Sequence, residues 1–451
     1  MSNTRDPKIT GGAASHASPR RFSTSVAMTL GTRFIMLASA LGTSIIVARW
    51  LGADGLGSLA AINVIIALAV QLGCAGMPSA NTYFISRDRS KLASVWSNAL
   101  LFGVVGGSLL AAAIIIASKL RPLLFGNIPI NLITVAALSI PFQLITLLGM
   151  SLFLGTGQIG RYNLTDATTQ VLLLLNALVA VALLGTGLYV LVSLNTALAV
   201  LVSLTVAVVI SRTVWRASEK RPWFDVQVFW EIIRYGIKFH ICLVAGLLIL
   251  RGDLLIVNHF RGAQEAGVYA IAGQMGNLIL LLPAIIGTIL FPRVASQPDP
   301  RGGLTMRATR HTAFIMLLAC LAAVPVSFAL PFVYGAAFKE STVQLLILLP
   351  GVFLVGIESV MVQHFSGVGL PVAIPTFWMI ALACNLILNL ILIPLFGGIG
   401  AAAVSTFTYA LIFVMVAAYF RLKTGNDLSS ALLLRGDEFR ELVNLVQYPG
   451  R

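Results

Sequence analysis

The chain is made largely of long apolar runs separated by short polar or basic segments. About 20 consecutive apolar residues suffice for a helix that crosses a bilayer, and these runs lack the alternation of membrane β-strands. Backbone groups in lipid must be satisfied internally, which favours helices. The pattern predicts an all-α polytopic membrane protein with about twelve transmembrane helices, at roughly 23–48, 58–84, 95–118, 130–155, 163–184, 188–211, 229–258, 268–291, 309–333, 342–366, 371–396 and 399–420.

Composition supports lipid as the solvent of this chain. Of 451 residues, 58% are hydrophobic and 10% are charged, and the mean hydropathy is +0.93. A soluble protein carries about 25% charged residues. The four cysteines all lie within apolar runs without C-x-x-C spacing, so we interpret them as buried small side chains. No pattern in the chain predicts a metal or a cofactor.

The positive charge predicts an orientation in the membrane. The net charge is +14, and most of the 30 Lys and Arg residues fall in alternate connecting segments. Basic loops remain on the cytoplasmic side, so both termini are expected in the cytoplasm. The charge is therefore attributed to topology, and no nucleic-acid partner is expected.

Twelve spans divide into two sets of six. We expect a disordered cytoplasmic tail at 1–21, an N-terminal six-helix bundle at 22–211 and a cytoplasmic linker at 212–228. A C-terminal six-helix bundle follows at 229–421. The tail at 422–451 is expected to form an amphipathic surface helix, because apolar and charged residues are interspersed there.

Three short motifs recur in the same order at nearly one offset. Residues 46–57 and 256–267 both fit I-V-x4-G-A-x3-G, 210 residues apart. The other two pairs are Phe153, Gly155 and Gly157 with Phe365, Gly367 and Gly369, and Asn176, Gly185 and Gly187 with Asn389, Gly398 and Gly400. An even number of spans per half makes the repeats parallel. Transporters with such repeats usually bind substrate between them.

Ionisable residues inside spans are costly and indicate candidate functional sites. Arg251 and Asp253 lie deep in the seventh span and point about 200° apart on a helix, so each needs its own partner. His240 lies within about 20° of Arg251 and can share its face. Candidates for substrate binding are Arg33, Arg251, Lys238 and His240; candidates for coupling or for a structural ion pair are Asp253, Glu358 and Asp166.

A cationic lumen suits an anionic head group. Arginine forms paired hydrogen bonds with phosphate, so a phosphate or diphosphate is the simplest ligand for Arg33 and Arg251. A lipid with such a head also needs lateral access for its tail, which two bundles with openings between them provide.

Three segments carry a family resemblance. They are A-R-W-L-G-A-D-G-L-G at 48–57, R-G-D-L-L-I-V at 251–257 and N-L-I-L-N-L-I-L-I-P-L-F-G-G-I-G at 385–400. The chain resembles the polysaccharide (oligosaccharide-lipid) flippases of the MATE-like exporter superfamily over about 22–421. The resemblance implies a V of two bundles, alternating access and movement of undecaprenyl-diphosphate-linked sugars to the outer leaflet, without enzymatic activity. It also implies a bacterial cytoplasmic (inner) membrane as the location, and cations in the central cavity, for which Arg33 and Arg251 are the matching residues.

The resemblance leaves the partners and two other functions open. The resemblance implies transport that is either coupled to H⁺ or Na⁺ or uncoupled. The partners expected from it are membrane lipids and a polysaccharide polymerase or synthase. The alternatives are a cation-coupled drug or small-solute antiporter, with Asp166 as its carboxylate, and a non-transporting partner of a glycan synthase. Lipid II flippases of the superfamily usually have fourteen spans, which counts against that substrate.

Overall fold

The computed structural model describes residues 19–126, 128–217, 224–296, 299, 302–369 and 371–426. Nearly all of these residues are helical, and no strand occurs among them. Ten helical segments are long and apolar enough to cross a membrane. The expected all-α membrane fold is confirmed. The tail helix predicted within 422–451 lies almost wholly outside the described residues.

The helices follow the apolar runs of the sequence. They are α1 (Pro19–Gly73), α2 (Met77–Arg87), α3 (Leu92–Leu120), α4 (Ile130–Ala137), α5 (Ile140–Gly155), α6 (Ile159–Ala177), α7 (Leu188–Ala217), α8 (Val226–Arg261), α9 (Ala263–Ile279), α10 (Leu281–Ser296), α11 (Gly303–Tyr334), α12 (Lys339–Gly367) and α13 (Ala373–Thr424). Short turns of 3₁₀ helix lie at Arg89–Lys91, Pro122–Phe125 and Ala336–Phe338, and a π-helical segment spans Leu178–Leu183.

Two of the long helices each contain two membrane-crossing arms. α1 is interrupted at Gly52 (φ 71°) and α13 at Gly397 (φ 58°). The arms of α13 run back alongside each other, because Asn385 Nδ2 donates to Thr408 Oγ1 across them at 3.2 Å. Each of these two helices counts as one of the ten membrane-spanning segments. When both are divided at their glycines, the number of segments becomes twelve, as predicted from the sequence.

The sequence repeat reappears as a repeat of backbone geometry. The matched glycines at 52 and 262 have φ of 71° and 87°, and those at 157 and 369 have φ of 77° and 108°. Such left-handed conformations strongly favour glycine. The third pair is shifted by one residue from the prediction: Gly185 (φ 61°) corresponds to Gly397 (φ 58°) rather than to Gly398.

Two helix boundaries differ from the apolar pattern. The second span was predicted as one helix, but it breaks at 74–76, where Ala75 and Gly76 have φ of 48° and 75°. Near the expected linker, α7 continues to Ala217 and α8 begins at Val226. Asp225 caps that start by accepting from the Val228 N–H at 3.1 Å, a favourable N-cap.

Candidate functional site

The two copies of the duplicated motif pack directly against each other. A Cβ added at Gly57 would lie 1.7 Å from the Ala263 carbonyl oxygen, and one added at Gly267 would lie 2.0 Å from that of Ala53. Small residues four apart permit such close helix approach in membranes. We call these four residues (Ala53, Gly57, Ala263 and Gly267) the motif clasp. The motif end of the molecule is the end that contains it.

Polar contacts add to the clasp at the motif end. Arg49 Nε donates to the Val333 carbonyl at 2.7 Å and its Nη2 to the Phe332 carbonyl. These carbonyls belong to the last turn of α11, where a cation is favourable. The hydroxyls of Ser44 and Tyr334 lie 3.2 Å apart and also join α1 to α11.

The halves meet again at the opposite end, which we call the linker end. A Cβ added at Gly76 would lie 2.3 Å from the Gly236 carbonyl oxygen. The rings of Tyr83 and Tyr235 stack with centroids 4.4 Å apart. Lys91 Nζ lies 3.2 Å from Glu231 Oε2, also across the two halves. The structure therefore has contacts between the halves near both ends.

Asp88 fixes the turn that carries Lys91. Its carboxylate accepts from the Ser90 side chain at 2.6 Å and from the Ser90 N–H at 3.0 Å. These bonds hold the pKa of Asp88 below its ordinary value. The aspartate is therefore ionised as it caps the 3₁₀ turn before α3.

One face of α8 is directed towards the N-terminal half between the two contact zones. Near the linker end, buried His240 lies beside the backbone of Leu72. Near the motif end, Asn258 Nδ2 donates to the Phe125 carbonyl at 3.2 Å. Arg251 lies within about 20° of both on the helix. Its side chain is exposed and makes no hydrogen bond or ion pair with the part of the chain that the structure describes. The shared face predicted for His240 and Arg251 thus points at the other half.

Asp253 points away from that face into the C-terminal half. Its buried carboxylate accepts from the hydroxyl of Tyr269, from Ser405 Oγ at 2.9 Å and from the Leu254 N–H at 2.8 Å. Hydroxyl and amide groups, rather than a cation, surround it in the described part of the chain. Tyr269 and Ser405 carry no charge and were not identified from the sequence.

Glu358 of α12 is a second buried acid among the described residues of this half. Its side chain is 1% exposed, and neither carboxylate oxygen has a well-formed hydrogen bond to a described residue. The indole of Trp378 in α13 lies beside it. An isolated ionised carboxylate is costly to bury, so this position favours the neutral form. The side chain of Lys238 lies outside the described part of the structure.

Arg33 and Asp166 meet within the N-terminal half. Arg33 Nη1 of α1 lies 3.5 Å from Asp166 Oδ2 of α6, with side chains 43% and 25% exposed. Asn163 Nδ2 donates to Thr29 Oγ1 at 2.8 Å one turn away. Arg33 therefore has a counterion, unlike Arg251. Among the described residues, no group of three or more metal-ligating side chains occurs.

Asp253→Leu is expected to lower the free energy of unfolding by about 3 kcal/mol, because two buried hydroxyls lose their acceptor. Asp253→Asn keeps one acceptor oxygen and should lose less. Melting followed by tryptophan fluorescence in detergent measures both. Asp54→Leu, at an exposed carboxylate, is the control and should melt like the unmodified protein. Equal melting of Asp253→Leu and the control would contradict the role of these bonds.

The fold and its repeated halves define a multi-pass helical membrane protein of the MATE-like transporter architecture. The chain belongs to the polysaccharide biosynthesis protein family, whose model matches residues 24–297. This confirms the family resemblance drawn from the three sequence segments.

Solved structures share this fold at low sequence identity. The lipid II flippase MurJ in an inward closed conformation aligns with a TM-score of 0.75 and 15% identity, over 94% of this chain and 93% of that chain. An inward-facing multidrug resistance MATE family transporter aligns with a TM-score of 0.71 and 13% identity, over 89% of this chain and 98% of that chain. At these identities the likeness concerns the fold.

Two relatives match parts of the sequence. The probable flippase AglR of Haloferax volcanii is 29% identical over 167 residues, which is 35% of each chain. The membrane protein MJ1068 of Methanocaldococcus jannaschii is 21% identical over 215 residues, or 46% of this chain and 42% of that protein. Each of these two alignments therefore covers less than half the length of the relative concerned.

Proposed function

We propose that this protein is a flippase that moves a lipid-linked (undecaprenyl-diphosphate) oligosaccharide from the inner to the outer leaflet for surface polysaccharide export. Family membership and the named flippases among similar proteins support the class. The observation that carries the proposal is the exposed Arg251 on the α8 face that meets the N-terminal half. A guanidinium in that place suits a diphosphate.

Alternating access accounts for the two contact zones. Opening the linker end would admit the head group from the cytoplasmic side, and opening the motif end would release it outside. The motif clasp and the Lys91–Glu231 region would then close in turn. His240, which lies beside the other half at Leu72, would separate from it when the linker end opens. Lys238 on the same helix is a further candidate contact for the phosphates.

The buried acids are candidates for coupling to H⁺ or Na⁺. Glu358, whose carboxyl group has no well-formed hydrogen bond to a described residue, is the stronger candidate to exchange a proton, whereas Asp253 is already held by hydroxyls. Asp166 is occupied by Arg33, which weighs against the drug–cation antiporter alternative that depends on this carboxylate. A polysaccharide polymerase or synthase is proposed as the partner that uses the product.

The proposed orientation places both termini in the cytoplasm of a bacterial cell, with the motif end outside. Reporter fusions after residues 125 and 185 are expected to be external, because both sites connect spans on the side with few basic residues. Alkaline phosphatase activity at both positions would agree with this map. A cytoplasmic signal at either one would contradict it.

A deletion strain tests the function itself. We expect loss of surface polysaccharide and accumulation of lipid-linked oligosaccharide in the inner leaflet, where an added lectin cannot reach it in spheroplasts. The unmodified gene should restore export. Lectin-accessible oligosaccharide in the deletion strain would contradict a flippase and favour a non-transporting partner of a glycan synthase.

A further inference from the structure

An apolar cavity of about 310 Å³ lies between the two halves. Its walls come from the second arm of α1, from α3, from the turn at 122–125 and from α8. Nine of its ten lining residues are hydrocarbon in character, and the tenth is Asn258. The walls give water few polar partners, so a hydrocarbon ligand suits this space better.

Polar contacts bracket the cavity along α8. Asn258 Nδ2 donates to the Phe125 carbonyl at the motif end of the cavity, and buried His240 lies beside the Leu72 backbone at its other end. Arg251 lies between these contacts along α8. It is one helical turn from Leu255, which lines the cavity, and it lies on the same face of the helix as Leu255. Two of the wall residues, Leu72 and Leu124, are 55% and 69% exposed, so the cavity opens to the surface of the protein.

We infer that this cavity receives the polyprenyl chain of the lipid-linked substrate, with its diphosphate at Arg251. The inference rests on the proposed function, since it assumes a substrate with an anionic head and a hydrocarbon tail. The charge of Arg251 complements the diphosphate, and the lining complements the chain next to it. The side of α1, α3 and α8 is then the route by which the tail stays in lipid while the head crosses.

The cavity positions the chain more than it attracts it. A lipid tail leaves one hydrocarbon environment for another, so there is no hydrophobic gain and only packing distinguishes them. We therefore expect filling the cavity to displace the chain without removing the affinity of the head for Arg251. Bulk phospholipid lacks the diphosphate that fixes a tail at this place.

Photolabelling in vesicles tests this assignment. The probe is a polyprenyl-diphosphate disaccharide with a diazirine in its chain, and phosphatidylcholine with a diazirine in one acyl chain is the comparison. With the full chain reconstituted, the polyprenyl probe should label 65–72 and 110–114, and unlabelled polyprenyl diphosphate should compete. Phosphatidylcholine should label these segments at least 5-fold less.

A cavity-filling variant sharpens the result. Leu68→Trp should reduce labelling of these segments at least 5-fold, because Leu68 lines the cavity. Leu109→Trp is the control. Leu109 is next to Leu110 on the same helix but is 67% exposed and does not line the cavity, so labelling of these segments should be unchanged in this variant. Leu255→Trp fills the cavity from α8 should the first variant fold poorly.

The outcomes separate this inference from the proposed function when flipping is measured in the same vesicles. Labelling by the polyprenyl probe only outside 65–72 and 110–114 would overturn the cavity assignment even if flipping is intact. Equal labelling of these segments by the phosphatidylcholine probe would do the same. Competed labelling of the cavity without flipping would support the cavity and overturn the flippase.

Discussion

Arg251→Ala is expected to lower transport of the lipid-linked oligosaccharide roughly 10- to 100-fold while leaving the fold unchanged. Hydrogen bonds to a charged group contribute about 1.5–3 kcal/mol, and each 1.4 kcal/mol is a factor of ten. The fold should tolerate the change, because Arg251 is exposed and has no hydrogen-bond or ion-pair partner among the described residues. Transport rate and melting temperature are the two measurements.

Two other variants make the result specific. Arg251→Lys keeps the charge but loses the planar pair of donors, so its transport should be intermediate. Arg234→Ala removes another exposed arginine of α8, one that points about 100° away from Arg251, and transport should stay within twofold of the unmodified protein. Full transport by Arg251→Ala, or an equal loss in Arg234→Ala, would remove Arg251 from the substrate site.

Gly57→Ala is expected to hold the motif end apart and to reduce transport at least 10-fold. The added Cβ would lie 1.7 Å from the Ala263 carbonyl oxygen, whereas non-bonded atoms rest at about 3.5 Å. The two halves must therefore separate by roughly 1–2 Å or the helices must bend. Gly267→Ala should act in the same way from the other copy of the motif, because its Cβ would meet the Ala53 carbonyl.

Spin labels measure this separation. Asp54→Cys and Gln264→Cys, both exposed near the clasp, carry the labels after the four native cysteines are replaced. Gly273→Ala is the control, because a Cβ there meets nothing within 4 Å on the same helix as Gly267. A distance and a transport rate equal to those of the control would show that the close contact is not required.

The sequence predicted the scaffold because its determinants are local. Apolar runs specify the helices, and the glycines of the repeat mark turns that other residues enter only with strain. The break at 74–76 was not predicted although Gly76 and Pro78 stand there, because glycine and proline also occur inside transmembrane helices. The packing of the two motif copies on each other also required the structure, since their spacing of 210 residues shows repetition and not contact.

The candidate site was predicted less completely. The opposite directions of Arg251 and Asp253 follow from helical geometry alone. The partners of Asp253 do not: Tyr269 is 16 residues away and Ser405 is 152 residues away, and neither stands out in an apolar chain. Arg49 lies within the duplicated motif, yet its bonds to the end of α11 depend on how the halves meet. Substrate binding by Arg33, Lys238 and His240 stays a prediction.

Flipping of a fluorescent substrate in reconstituted vesicles tests whether this chain is a flippase. Vesicles containing the full chain and a fluorescent polyprenyl-diphosphate disaccharide are treated with dithionite, which reduces only fluorophores in the outer leaflet. We predict that nearly all fluorescence is lost with the unmodified protein and about half in protein-free vesicles. Arg251→Ala vesicles should approach the second value on the same timescale. A loss of only half with the unmodified, correctly folded protein would contradict the assignment of this chain as a flippase.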